Sequence, residues 1–296
     1  MGPALPRKYT LNDLRAARAS GTKVPMLTCY DFTTAKLMHE AGVPTLLVGD
    51  SAGNVILGHE TTLPVPLHFM IQLAAAVRRG APHAFLVADM PFGSYHGSTA
   101  RAVRNVFRMV QLSGCDCVKL EAAESQLTPI RELADAGVAI MAHLGLRPQA
   151  VGVLGGYRAQ GRTAAEAEQI VDLARQMESA GAAAILLEAV PAEVSAAVVA
   201  AVGIPVIGCG AGPACHGHVV VTHDMLNLTP RPPKFAPKLG DLATPMTEFF
   251  REYVRRVTDG SYPAPEHGYA MPADQKQQFA RDGKEPAFPA VPGAVK

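Results

Sequence analysis

Asp50 with Ser51, Asp89, Lys119 with Glu121, His143 and Glu188 close five short apolar runs of the chain: LLVGDS, AFLVAD, CVKLE, VAIMAH and AAILLE. In the first run the change from apolar to polar falls at Gly49, where a buried strand would hand over to a loop. Acids gathered with one lysine at neighbouring strand ends suit a hard divalent cation such as Mg2+, which takes oxygen ligands, keeps several waters and shares its shell with substrate. Such a cation polarises a carbonyl and stabilises an enolate. Making an enolate needs a base. Glu188, preceded by AAILL, sits where burial raises a carboxyl pKa toward neutrality. Lys119 and Glu121 stand two apart, so on a strand they share a face and Leu120 takes the other.

Each of these residues has a plainer reading. A lone acid at a strand end commonly caps a helix or closes a turn. Asp31, ahead of FTTAKLM, and Asp224, ahead of MLNL, are read as caps. Glu188 alone could be a first-turn acid before PAEVSAAVV, and His143 alone a satisfied core histidine. Agreement lifts the set above these readings, because caps do not require an in-register Lys-x-Glu on a buried strand. Cys209, Cys215, His216, His218 and His223 suggest zinc at first sight, but their spacing matches no standard finger or knuckle. Cys115 and Cys117 have the wrong spacing for a redox pair.

Elements of one kind could bring the set together. Apolar runs of strand length lie at 24–29, 44–50, 84–90, 116–121, 138–144, 183–189, 204–210 and 218–224, and helix-like stretches lie between most of them. Continuous apolar runs alternating with helices predict a parallel sheet. Eight such units predict a closed (β/α)8 barrel with its chemistry at the carboxyl ends of the strands. There Asp50 and Ser51 would be the second strand's contribution to a shared mouth, with His223 and Asp224 ending the eighth strand. A doubly wound open sheet is the alternative, but TCYDFTTAK after the first run has no glycine fingerprint. TLNDLRAARASG reads as a capped helix between Thr10 and Gly21 rather than a transit segment, and EFFREYVRRVTDG as a late amphipathic helix. Residues 1–270 are expected to form a single domain, and residues 271–296, which lose periodicity, a flexible tail.

Composition narrows the class of partner. The net charge is +1, Lys and Arg are scattered, and there is no Trp, which argues against a nucleic-acid partner. No apolar run reaches the roughly 18 residues of a membrane span. Five unpaired-looking cysteines fit a reducing compartment, and a cytoplasmic location is expected.

LLVGDSAGNVILGHETTLPV, AAAVRRGAPHAFLVADMPFGSY, GCDCVKLE, AHLGLRPQAVGVLGGYRAQGR, AAILLEAVP and IPVIGCGAG resemble, in order and spacing, the ketopantoate hydroxymethyltransferase family, from about Tyr9 to about Tyr269. The resemblance implies a TIM barrel of the phosphoenolpyruvate/pyruvate type, commonly a homodecamer. It implies transfer of a hydroxymethyl group from 5,10-methylenetetrahydrofolate to 3-methyl-2-oxobutanoate through a Mg2+-stabilised enolate, giving 2-dehydropantoate in pantothenate and coenzyme A biosynthesis, with one Mg2+ per subunit. Carried over by position, Asp50 and Asp89 would ligate the metal with Glu121 in its shell. Asp50, Ser51, Asp89 and Lys119 would hold the keto acid, Glu188 would accept the proton and His143 would support it.

The chain departs from the family's pattern in three places. Glu60 stands where many members carry Asp, His216-Gly217-His218 replaces the usual Asp-Gly-Gln, and KFAPKLGD lacks the usual aromatic after its second lysine. These changes put the folate step or assembly in question, not the central site. Phosphoenolpyruvate mutase and isocitrate lyase-like enzymes are the rival class, but they carry a KKCGH-like loop that this chain lacks. A keto-acid-binding protein on a dead barrel would have lost acids or Lys119, and all are present.

Overall fold

Each of the eight apolar runs becomes a parallel strand in the computed structural model of the protein, which describes residues 7–281. They are β1 (Val24–Thr28), β2 (Thr45–Val48), β3 (Phe85–Asp89), β4 (Cys117–Glu121), β5 (Ile140–Gly145), β6 (Ala184–Glu188), β7 (Val206–Cys209) and β8 (Gly217–Val220). They pair in chain order, and β8 returns to β1 to close the barrel. The first helix, α1 (Leu11–Ser20), starts at a capping box between Thr10 and Asp13 and stops at left-handed Gly21. After it come α2 (Phe32–Glu40), α3 (Ala52–Val55), α4 (Leu67–Gly80), α5 (Thr99–Ser113), α6 (Leu127–Asp135), α7 (Val151–Leu154), α8 (Ala164–Ser179), α9 (Ala192–Ala201) and α10 (Thr222–Met225). Asp31 caps α2 as expected, its carboxylate accepting from the Thr34 N–H at 2.8 Å.

The period of two along each strand divides the core. Val24, Met26, Leu47, Phe85, Val87, Cys117, Met141, Ala184, Leu186, Ile207 and Val219 fill the barrel, and Leu14 and Ala17 of α1 join that cluster. The residues between them, such as Leu46, Leu86, Leu120, Ala142 and Leu187, pack outward with the helices. Asp89, Lys119, Glu121, His143 and Glu188 all have inward parity, so the alternation that builds the core also aims the polar residues.

Two expectations are corrected. The eighth strand ends at Val220, and His223 and Asp224 belong to α10. Thr222 turns the chain off the ladder: its N–H donates to Thr28 Oγ1 and its hydroxyl donates to the Thr28 carbonyl. Asp224 therefore lies inside a short helix rather than capping one. The chain also divides into two compact units, Met1–Met225 with Thr229–Leu239, and Leu226–Leu228 with Gly240–Lys296. In the second unit, α11 (Ala243–Thr258) is the amphipathic helix expected, with Phe249, Phe250, Tyr253 and Val254 exposed. A further helix, α12 (Ala273–Arg281), forms within the segment expected as tail, and the rest of that segment lies outside the described residues. Among the described residues no helix is long and apolar enough to cross a membrane.

Gly145 ends β5 with φ +86°, and a Cβ there would collide with the Glu188 carbonyl oxygen. Gly137 has a similar φ of +84° but open space around it. Gly145→Ala is expected to lose more than the about 1–3 kcal/mol of backbone strain, and Gly137→Ala no more than that strain; urea unfolding of the two variants measures the difference.

Candidate active site

Strand register does most of the positioning. Asp89 is paired directly with Lys119 across β3 and β4, Glu121 with His143 across β4 and β5, and Gly145 with Glu188 across β5 and β6. The cavity at these strand ends has a volume of about 790 Å3, and its wall includes Asp50, Ser51, Asp89, Lys119, His143 and Glu188. Six of the seven residues singled out from the sequence thus meet in one space. Glu121 stands apart from that wall. It is buried, and its Oε1 accepts the Gln149 backbone N–H at 2.7 Å.

Lys119 is the electrostatic centre. Its Nζ lies 2.9 Å from Asp89 Oδ2 and 3.4 Å from His143 Nδ1, with both lysine and aspartate almost fully buried. Burial works against the ammonium, but Asp89 and Asp50 outweigh it and hold the lysine pKa above its ordinary value. Burial, with Asp50 adding to it, lifts Asp89 above the usual carboxylate range while Lys119 pulls it down. The Asp50 N–H also donates to Asp89 Oδ2, at 3.0 Å, so that oxygen is doubly held. Asp89 Oδ1 is buried and has no hydrogen-bond partner among the described residues.

Burial first, and then the Lys119 charge, drive His143 well below the usual imidazole range, so it is neutral near pH 7. An ammonium facing Nδ1 requires a lone pair there, which puts the proton of the neutral ring on Nε2. Nε2 lies 3.3 Å from Glu188 Oε2, yet among the described residues it has no partner in hydrogen-bonding geometry. The two groups are in contact distance without a formed bond, and a neutral histidine makes no ion pair there. Glu188 is pushed up to about 7 by burial, against a smaller opposing pull from Lys119. Its side chain keeps 19% exposure, toward the cavity it lines. Burial likewise pushes Glu121 up to about 8.

Three functional neighbours were not singled out from the sequence. Tyr30 Oη lies 2.8 Å from Ser51 Oγ, fixing the hydroxyl beside Asp50. Gln149 donates from Nε2 to Asp50 Oδ2 at 2.7 Å and accepts from Tyr95 Oη at 2.8 Å. The available signal was a lone amide in the apolar stretch LRPQAVGVL, too slight to select without the fold. Asp224, read as a cap, lines the cavity, as do Glu60 and Phe235 from two of the divergent stretches. His216 and His218 do not line it: they sit at the opposite, amino-terminal end of β8, and His216 Nδ1 accepts from the Val206 N–H at 3.0 Å.

The donor set was tested against a divalent cation. Among the described residues no three of His, Cys, Asp and Glu are grouped as a protein-only cage. Mg2+ does not need one, since it is held by one or two carboxylates together with substrate and waters. Asp50 and Asp89, adjacent and each tied through Oδ2, supply two carboxylates, and the partnerless Asp89 Oδ1 is a buried acceptor in want of a positive neighbour. The residues fit such a cation. A planar acid with an adjacent carbonyl would find an ammonium, a hydroxyl and these carboxylates at the cavity floor, with a near-neutral base beside it.

Raising a carboxyl pKa in the folded state means that the fold binds that proton more tightly than the unfolded chain does. For Glu188 the resulting stability is therefore present below the unfolded pKa, near 4.5, and is lost as pH rises through about 7. Glu188→Gln, which cannot ionise, is expected to raise the unfolding temperature relative to wild type more at pH 8 than at pH 5; thermal unfolding of both proteins at the two pH values checks it.

Comparison with known proteins identifies the family and the fold. The family profile described as ketopantoate hydroxymethyltransferase matches residues 8–265. A relative from Geobacillus kaustophilus named 3-methyl-2-oxobutanoate hydroxymethyltransferase is 45% identical over 259 residues, covering 87% of this chain and 93% of the relative. One of the same name from Desulfotalea psychrophila is 41% identical over 276 residues, 93% of this chain and 99% of the relative. Among solved structures, phosphoenolpyruvate phosphomutase from Streptomyces platensis subsp. rosaceus aligns with a TM-score of 0.59 at 15% identity, covering 93% of this chain and 95% of that one. Phosphonopyruvate hydrolase in complex with oxalate and Mg++ aligns with a TM-score of 0.56 at 15% identity, covering 93% and 96%. At such identities these two show the fold alone.

Proposed function

The chain belongs to the ketopantoate hydroxymethyltransferase family, and from that premise we propose that it moves a hydroxymethyl group from 5,10-methylenetetrahydrofolate to 3-methyl-2-oxobutanoate, giving 2-dehydropantoate on the route to pantothenate. The observation that carries the reading is the inward line Asp89, Lys119, His143 and Glu188, an ion pair and a near-neutral carboxyl on either side of a neutral imidazole. The relatives' shared name supports the substrate, and Mg++ with oxalate in the phosphonopyruvate hydrolase structure supports the metal.

Asp50 and Asp89 would hold Mg2+, with Glu121 in its outer surroundings. When bound, the cation polarises the 2-oxo group and offsets the charge that develops on it as the enolate forms. Lys119 and the Ser51 hydroxyl hold the keto acid's polar end against the cavity floor. Glu188 takes the C3 proton, a task suited to a carboxyl poised near neutral pH. His143 faces Glu188 with Nε2–H, ready to bond the carboxylate, while the Lys119 ammonium fixes the tautomer through Nδ1. C3 then forms the new C–C bond to the one-carbon unit of the folate, whose two C–N bonds break in turn. A water molecule supplies the hydroxyl oxygen, and the proton held by Glu188 and one from that water go to the two folate nitrogens, releasing tetrahydrofolate. Closure of the cavity by that co-substrate would keep water from returning the proton to C3.

An assembly of identical subunits and a cytoplasmic setting go with this reading. The exposed Phe249, Phe250, Tyr253 and Val254 of α11 support the first, because clustered exposed apolar side chains mark contact surfaces.

The direct test is formation of 2-dehydropantoate from the two substrates and Mg2+, followed by NMR. No product from folded protein, with turnover of phosphono- or C–C-lyase substrates instead, would move the chain to the chemistry of its fold neighbours. Within the reading, Glu188→Gln is expected to lower kcat by about 10²–10⁴ while keto-acid binding stays measurable. Asp50→Asn is expected to lose the Mg2+-dependent part of keto-acid binding in calorimetry. The base must be ionised to act, so kcat/KM should fall as pH drops through about 7, which a pH–rate profile checks.

A further inference from the structure

Gln149 lies in the short 3₁₀ turn Pro148–Ala150 that follows β5, and it is buried at 7% exposure. Both N–H groups of its side-chain amide are used, one on Asp50 Oδ2 at 2.7 Å and one on the Met90 carbonyl at 3.0 Å. Its Oε1 accepts from Tyr95 Oη at 2.8 Å. Its backbone N–H donates to Glu121 Oε1 at 2.7 Å, and the Glu121 N–H donates to Tyr95 Oη at 3.2 Å. One residue thus ties a carboxylate after β2, a carbonyl after β3 and a carboxyl at the end of β4.

The direction of these bonds is fixed. A backbone N–H can only donate, so Tyr95 Oη accepts from Glu121, and its own hydrogen goes to Gln149 Oε1. At the other end, a carboxylate and a carbonyl can only accept, so Nε2 must face them. Turning the amide over would set Oε1 against two acceptors. The relay from the Glu121 backbone through Tyr95 and Gln149 therefore always delivers a donor to Asp50 Oδ2, and it leaves Asp50 Oδ1 for other partners.

On the reading that Asp50 and Asp89 hold a divalent cation, we propose that Gln149 is the positioning residue for Asp50: its locked amide occupies Oδ2 and presents Oδ1 to the cation. Asp89 is arranged in the same sense, with Lys119 and the Asp50 N–H on Oδ2 and a partnerless Oδ1. Partners that orient a metal's ligands commonly set its affinity by a factor of about 10–100 when removed. Gln149 acts through Asp50 and needs no contact with substrate.

The test is Mn2+ affinity, measured by electron paramagnetic resonance on the full-length protein with 3-methyl-2-oxobutanoate present and no folate, so that turnover plays no part. Gln149→Met, which keeps length and removes both amide ends, is expected to weaken Mn2+ by about 10–100-fold. Tyr95→Phe, which leaves the amide in place but removes the bond that anchors its Oε1, should weaken Mn2+ by a smaller factor. Unfolding midpoints accompany both variants, because a merely structural residue would lower the midpoint and leave the Mn2+ affinity of the folded protein unchanged. Wild-type affinity in folded Gln149→Met overturns the proposal; if that variant does not fold, wild-type affinity in Tyr95→Phe does so. Absence of Mn2+ binding by the wild-type protein would overturn the cation reading itself and the Gln149 role with it, which distinguishes the two failures.

Discussion

Everything in the site answers to the Lys119 ammonium buried inside the barrel. An isolated charge there would be costly, and Lys119 stays charged because Asp89 meets it at 2.9 Å with Asp50 close by. The same charge reaches the other side chains. It adds to the burial that keeps His143 neutral and selects the tautomer, and it tempers the rise in the Glu188 pKa that burial imposes. Burial and this one cation together leave Lys119, His143 and Glu188 in three different protonation states. That arrangement separates a charged end of the site from a near-neutral one, which on the proposed reading respectively hold the acid and take the proton.

The barrel supplies the geometry at little extra cost. Parallel register puts Asp89 beside Lys119 and Glu121 beside His143, and the period of two turns each of them inward. Beneath them Met141, Leu186 and Phe85 belong to the packed interior, so the polar layer has an apolar floor. The loops refine what the strands begin: Gly145 lets β5 leave beside the Glu188 carbonyl, and the turn after it brings Gln149 across to Asp50.

Much of this was legible in the residues, for identifiable reasons. Buried parallel strands need continuous apolar runs, so the eight strands could be counted, and Lys119-Leu120-Glu121 announced its own facing. The shortfalls are long-range. Gln149 contacts Asp50 across 99 positions of sequence, and no local pattern marks an amide that serves a distant carboxylate. The eighth strand was drawn too long because HVVVTHD is apolar enough to continue, and only the Thr28–Thr222 pairing shows where it turns away. Asp224 was misplaced for the same reason. In the 271–281 segment the helix carries no buried residue before Arg281, so it lacked the apolar stripe by which a helix is read from sequence.

The central claim is that this chain makes a carbanion at C3 of a branched 2-oxo acid, with the metal's help and before any one-carbon donor arrives. The most direct measurement is NMR of 3-methyl-2-oxobutanoate incubated with the wild-type protein in D2O, with and without Mg2+ and with no folate present. The account predicts loss of the C3 proton signal only when protein and Mg2+ are both present, slowing as pD falls below the Glu188 pKa of about 7. A folded, keto-acid-binding protein that leaves the C3 proton in place, or exchanges it equally well without metal, would contradict it.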